Sequence, residues 1–410
     1  MLYQLHELQR SFLAPMATLA DLGTRAFGGG PLAGLPYARR IRAGYELLYR
    51  LGKEYEKPAF RIETTRVDGE TVAVEERVVV ADPFCSLLHF RREISTERPP
   101  DPKVLVVAPL SGHHATLLRD TVRQLLPKHE VYLTDWIDAR LVPLSRGAFH
   151  LDDYVAYVTR YLRRLGPDLH VMAVCQPTVP VLGAVALMAT ARDPMLPCSM
   201  TLMGGPIDTR KSPTVVNDLA RRKPYEWFER TVICTVPARY PGSGRRVYPG
   251  FLQLGSFMAM NPSKHTAAHW DFYLDLVKGD GESAEAHRRF YDEYNAVLDM
   301  TAEYYLETVK TVFQEDALPL GRWHVAGQRV ALEDIRGVAL LTVEGEKDDI
   351  SGAGQTHAAH DLCTRLDPAR RRRFTAPGCG HYGIFSGRRW RETIYPEVHD
   401  FIRAASATSR

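Results

Sequence analysis

Residues 170–180 read His170-Val171-Met172-Ala173-Val174-Cys175-Gln176-Pro177-Thr178-Val179-Pro180. The apolar run Val171–Val174 passes directly into Cys175, and a helix-forming stretch through Val181–Thr190 follows at once. An unbroken apolar run is what a strand covered on both faces requires. The segment therefore predicts a strand, a sharp turn with a cysteine at its apex, and a helix, which is the setting of a nucleophile elbow. The usual form of that turn is G-x-S-x-G. Here Ala173 and Pro177 occupy the flanking small positions and cysteine stands in place of serine. Pro177 suits the first helical turn, where its missing N–H is not needed. Cys175 then faces the positive end of a helix and its free N–H groups, which favour the reactive thiolate. A buried structural cysteine is the competing reading of the same residue.

Outward from this turn the pattern is strand, turn, helix. Val104–Ala108, Val131–Leu133, Val171–Val174 and Ser199–Met203 read as buried strands. Thr116–Leu126, Asp152–Leu165 and the stretch through Val181–Thr190 read as the helices between them. Such alternation implies a parallel sheet covered on both sides. Upstream, Phe60, Ile62 and Thr64, then Val72 and Val74, alternate with polar residues around Asp68-Gly69, a type I′ hairpin signal. Val78–Val80 and Leu87–Phe90 extend this antiparallel edge. From about Asp208 to Ala331 the alternation stops. The region is aromatic-rich and reads as helical, with one long stretch from Ala284 to Phe313. Val338–Val343 and Arg373–Ala376 restore the strands, and a helix over about 388–404 closes the chain.

Two further residues fall in an informative order. After the Val338–Val343 strand comes Glu344-Gly345-Glu346-Lys347-Asp348-Asp349, and after Arg373–Ala376 comes Pro377-Gly378-Cys379-Gly380-His381. In α/β-hydrolases the order is nucleophile, acid, histidine, each just beyond a strand end. The expected triad is Cys175, Asp348 and His381. His381 would take the thiol proton, and Asp348 would hold the imidazole in the right tautomer. Gly345-x-x-Asp348 favours Asp348 over Asp349, and Asp208 is the other acid position weighed. Two backbone N–H groups are expected to form an oxyanion hole. Gln176 follows the nucleophile, and His113 lies in Pro109-Leu110-Ser111-Gly112-His113-His114 after the Val104–Ala108 strand.

The fold expected is thus an α/β-hydrolase: a mostly parallel sheet with an antiparallel N-terminal edge and a helical cap insertion. The divisions are an N-terminal helical segment (1–58), core (59–207), cap (208–331) and core again (332–410). Tyr248, Phe251, Phe257, Trp270 and Tyr273 are candidates for an apolar substrate channel in the cap. In the N-terminal segment, Leu5, Leu8, Phe12, Met16 and Leu19 recur three or four apart and make one apolar helix face. Internal packing or dimerisation is expected of that face ahead of surface docking. Gly28-Gly29-Gly30-Pro31 separates it from a second helix over about 37–56. The run Arg370–Arg373 reads as a solvated turn leading into a strand.

Composition restricts the function classes. The chain has 410 residues, 45% apolar and 25% charged, with 52 Lys and Arg against 49 Asp and Glu. That is a globular composition with no strong field for nucleic acid or membrane. The longest apolar run, Val179–Ala189, is too short to span a bilayer. Six cysteines, with no C-x-x-C pair, form neither a zinc framework nor a dense disulfide scaffold. The start, with Glu7 and Asp21, lacks a secretory pattern, so free thiols and a cytoplasmic location are expected.

At this point the chain resembles the intracellular polyhydroxybutyrate depolymerases. The resemblance lies in long segments: MLYQLHELQRSFLAP at the start, GKEYEKPAFRI, the elbow VCQPTVPVL, YDEYNAVLDMTAEYYLETVKTVF in the insertion, and GHYGIFSGRRW near the end. It implies an α/β-hydrolase with a cysteine nucleophile that degrades amorphous poly(3-hydroxybutyrate) on storage granules, with Cys175, Asp348 and His381 as the triad. No metal or cofactor is expected. Coenzyme A enters only as an alternative acyl acceptor, and a homodimer is a possible assembly. Two rivals stand beside this reading. A polyester synthase also uses Cys, His and Asp, but its elbow is typically glycine-flanked. A non-catalytic granule protein would not need a complete triad in order.

Overall fold

The computed structural model describes residues 2–95, 98–260 and 262–408. Its centre is a nine-stranded sheet in the order β1-β2-β3-β5-β4-β6-β7-β13-β14. The antiparallel edge is β1 (Thr64–Val67), β2 (Glu70–Ala81) and β3 (Cys85–Arg92), with β3 pairing antiparallel to β5. The parallel part is β4 (Lys103–Val107), β5 (Glu130–Trp136), β6 (Leu169–Val174), β7 (Ser199–Met203), β13 (Ala339–Gly345) and β14 (Arg371–Ala376). Asp68 and Gly69 both have positive φ, 49° and 91°, as a type I′ turn demands. The strand order, with an antiparallel edge, five parallel pairings and β5 lying between β3 and β4, is that of an α/β-hydrolase.

Helices cover both faces. They are α3 (Arg119–Leu125), α4 (Leu151–Leu165) and α5 (Thr178–Thr190), with Tyr395–Thr408 at the end. Central strands β6 and β7 are buried at every residue, and α5 is buried over most of its surface. Apolar residues all round a helix mean burial on all sides. The core continues into an aromatic cluster of Trp136, Phe149, Tyr154 and Tyr304. Gly183 on α5 makes room for the Trp323 ring, which a Cβ there would meet at 2.5 Å.

The N-terminal segment is a helical hairpin, α1 (Leu2–Gly28) and α2 (Ala38–Gly52). Ala17 and Ala20 are buried, and the Leu5 to Leu19 face points to solvent. Internal packing of that face is therefore corrected. Small residues let α1 and α2 approach closely, and this turns the larger apolar side chains outward. Arg371 also departs from a solvated turn. Its guanidinium donates to the carbonyls of His360, Cys363 and Leu366, so it ties the chain before β14.

Between β7 and β13 lie α6 (Val215–Arg222), α7 (Tyr225–Val232), α8 (Gly250–Met260), α9 (Pro262–Lys278), α10 (Gly281–Asn295) and α11 (Ala302–Thr308). Short strands β8 (Cys234–Thr235), β9 (Arg246–Tyr248) and β10 (Met300–Thr301) pair with one another, as do β11 (His324–Val325) and β12 (Gln328–Arg329). The single helix expected from Ala284 to Phe313 is broken. After α10 the chain extends through 296–301, where the Val297 backbone bridges to His113 and the Leu298 N–H donates to Gly112 O at 2.9 Å. Buried Asp299 holds this break. Its carboxylate accepts the Gly250 N–H and the Tyr3 hydroxyl, each at 2.8 Å. Tertiary hydrogen bonds here outweigh a locally helical sequence. Glu307 caps α4 by accepting the Leu151 N–H.

Candidate active site

Cys175 sits where β6 gives way to the turn before α5, with φ 67°. A non-glycine residue at positive φ carries strain, which persists only where surrounding structure imposes it. Here the Cys175 N–H donates to Met203 O on β7 at 2.7 Å, and its carbonyl accepts the Thr178 N–H. The sulfur is held at the sheet's C-terminal end and is partly exposed.

β13 and β14 are neighbours in register, and the loops after them deliver Asp348 and His381. His381 Nδ1 lies 2.8 Å from Asp348 Oδ2, and both side chains are almost fully buried. Asp348 Oδ1 accepts the N–H groups of Ile350 and Ser351, both at 2.9 Å. On its other side, His381 hydrogen-bonds Cys175. Burial by itself would lower the imidazole pKa. The Cys175 sulfur and the Asp348 carboxylate, with the hydrogen bonds from each, overturn that and raise it well above its ordinary value. Asp208, the alternative acid, is engaged elsewhere in a two-pronged pair with Arg210 at 2.7 and 2.9 Å.

The loop after β4 lies beside the elbow because β4 and β6 pair directly. Gly112 has φ 88°, and a Cβ there would come within 3.0 Å of Gln253 Oε1 and 3.3 Å of Phe257. In an antiparallel bridge where Leu298 N–H meets Gly112 O, the bonds flank His113, so its own N–H is not used. Neither the Gln176 nor the His113 N–H donates to a backbone carbonyl among the described residues. The His113 ring is buried and neutral. Burial lowers it to about 4, against hydrogen bonds to the backbone of Tyr294 and Ser111, and Nε2 has no partner among the described residues.

The five channel candidates separate. Phe257 is at the site, with its ring 5.3 Å from that of His113. Tyr248 is buried against Tyr305, and Phe251 stacks on His6 and meets Tyr3 edge-on, so both are corrected to packing roles. Trp270 and Tyr273 stack on each other, and Trp270 is exposed. Two tyrosines escape the sequence reading. The Tyr294 and Tyr382 hydroxyls hydrogen-bond each other across the insertion and the core. Burial, with Tyr294 and Cys175 nearby, holds the Tyr382 hydroxyl well above the ordinary phenol value. Tyr382 directly follows His381 in sequence, which is a signal. Tyr294 has none, because only folding brings α10 to this place.

A thiol hydrogen-bonded to an imidazole, with a carboxylate behind it and two free N–H groups nearby, has the parts for acyl transfer through a covalent intermediate. Among the described residues no group of three or more His, Cys, Asp or Glu side chains is placed to hold a metal ion. No described helix is long and apolar enough to cross a membrane.

The fold and the family match together define the class: carboxylic ester hydrolases of α/β-hydrolase architecture. Residues 204–406 match the family model described as PHB de-polymerase C-terminus, and this match supports assignment of the chain to the PHB depolymerase family. No curated protein matches the chain. Among solved structures, a monoacylglycerol lipase of Paleococcus ferrophilus is similar at 14% identity, over 75% of this chain and 96% of that one, with TM-score 0.45. A structure from a study of carboxylesterases of Nitrososphaera gargenis is similar at 11% identity, over 84% and 99%, with TM-score 0.45.

Proposed function

We propose that this esterase cleaves amorphous poly(3-hydroxybutyrate) on granules in the cytoplasm, with Cys175 as nucleophile. The observation that carries the reading is His381, bonded to Asp348 on one side and to Cys175 at a strained elbow on the other. The sulfur adds to an ester carbonyl carbon, and the oxyanion rests against the Gln176 and His113 N–H groups. As the tetrahedral centre collapses, His381 gives its proton to the departing 3-hydroxyl oxygen. Water then loses a proton to His381, attacks the acyl-thioenzyme, and leaves a shorter chain ending in a carboxylate. Helices α8 to α10 act as the cap. Phe257, Tyr294 and Tyr382 are the side chains that meet polymer, rather than the wider set of cap aromatics. A thioester can also pass its acyl group to another thiol, so coenzyme A is an alternative acceptor.

The test is turbidity clearing of an amorphous polymer suspension by wild type and Cys175→Ala, with product analysis and intact-mass detection of the acyl-enzyme after acid quench. An acylated wild type and an inert variant are expected. Clearing by Cys175→Ala at the wild-type rate would refute the assignment. Acyl-CoA among the products would identify the second acceptor.

A further inference from the structure

The outward face of α1 has a property that periodicity alone does not require. Leu2 and Leu22, Leu5 and Leu19, and Leu8 and Met16 are pairs equidistant from Phe12, and all seven side chains are 47–70% exposed. Their spacing along the helix is three, three, four, four, three, three, and it reads the same in both directions. At 3.6 residues per turn all of them fall within about 80° of Phe12. Between Leu2 and Leu22 no exposed residue of α1 is charged. Glu7, Arg10 and Asp21 lie at its half-buried margins, paired with Arg239, Glu54 and Arg25.

A pattern that survives reversal is what a two-fold axis demands, because each residue must meet its counterpart from a helix running the other way. We infer that this face joins two copies of the chain, with antiparallel α1 helices crossing at Phe12. Leu5 of one copy then lies level with Leu19 of the other, Leu8 with Met16, Leu2 with Leu22, and Phe12 with itself. The exposed apolar surface is on the order of the ~800 Å² that each partner of a stable interface buries. A lipid surface fits less well. Helices that lie on membranes carry excess Lys and Arg, and the charges over this stretch are already paired. The inference gives the homodimer a specific surface and does not depend on the ester chemistry.

The experiment is analytical ultracentrifugation of the full chain over a concentration series, with hydrolysis of a small soluble ester as the check on folding. Wild type is expected to be a dimer. Phe12→Glu sets two like charges on the axis, and it is expected to weaken the dimer by on the order of 100-fold or more with soluble-ester turnover unchanged. Leu8→Glu should do the same. Leu8→Lys combined with Met16→Glu should restore association, because only the two-fold brings those positions level, and in one helix they are too far apart to pair. A wild type that is monomeric throughout overturns the inference, and so does a Phe12→Glu protein that stays dimeric. A monomeric wild type that binds polyester particles through Phe12 also overturns it and assigns the face to the polymer surface.

Discussion

His381 Nδ1 stands 2.8 Å from Asp348 Oδ2, while the second oxygen of that carboxylate takes two backbone N–H groups. Every position around Asp348 thus presents a hydrogen to it. In Asp348→Asn an amide NH₂ must either face the imidazole or face the Ile350 and Ser351 N–H groups. We expect the wrong imidazole tautomer and a fall in kcat of about 10⁴-fold, as a lost triad acid produces. Near-UV circular dichroism should be unchanged. Activity within tenfold of wild type would exclude Asp348 as the orienting acid.

Gly112 supplies the second test. An alanine there would be strained at φ 88° and would press on Gln253 and Phe257. The expected result is a loss of about 10- to 100-fold in kcat, from displacement of the neighbouring His113 N–H, with KM for a small ester little altered. Unaltered kcat would remove this loop from the oxyanion hole.

The Tyr3 hydroxyl gives Asp299 one of its few donors in a buried setting. Tyr3→Phe leaves that carboxylate a partner short and should cost about 1–3 kcal/mol, read from urea denaturation. A cost near zero would show that Asp299 does not need α1.

Stability should fall on mild acidification. Burial lowers His113, His170, His287 and His360 to about 4, and His114 and His129 to about 3. Their folded values lie below the ordinary 6.5, so between about 6.5 and 4 the unfolded chain binds more protons and stability drops as pH falls. Asp138 works the other way. Burial and Asp299 raise it to about 7, so acid favours its folded form. Thermal melts from pH 7 to 5 should show a falling Tm, falling more steeply in Asp138→Asn. A Tm that rises over this range would contradict the account.

Much of this is legible in the sequence. Buried strands are continuous apolar runs, and position just past strand ends singles out Cys175, Asp348 and His381, three side chains that the fold brings together. Local sequence failed where distant groups decide. The chain from Ala284 to Phe313 is helical by composition, yet it opens at Val297 and Leu298 because Gly112 O takes the Leu298 N–H and the Asp299 carboxylate takes the Gly250 N–H and the Tyr3 hydroxyl. Tyr248 and Phe251 looked like channel residues because aromaticity carries no direction.

The sequence by itself determined the alternation of strands and helices, the elbow at Cys175, the order of the three polar residues and the reversible spacing on α1. Each is a matter of local spacing along the chain. Tertiary structure alone decided that the Ala284–Phe313 stretch opens at Val297, that Tyr294 reaches Tyr382, and that the leucines of α1 face outward. These depend on which surfaces meet when the chain closes. A periodic pattern states that a face is apolar but not what covers it.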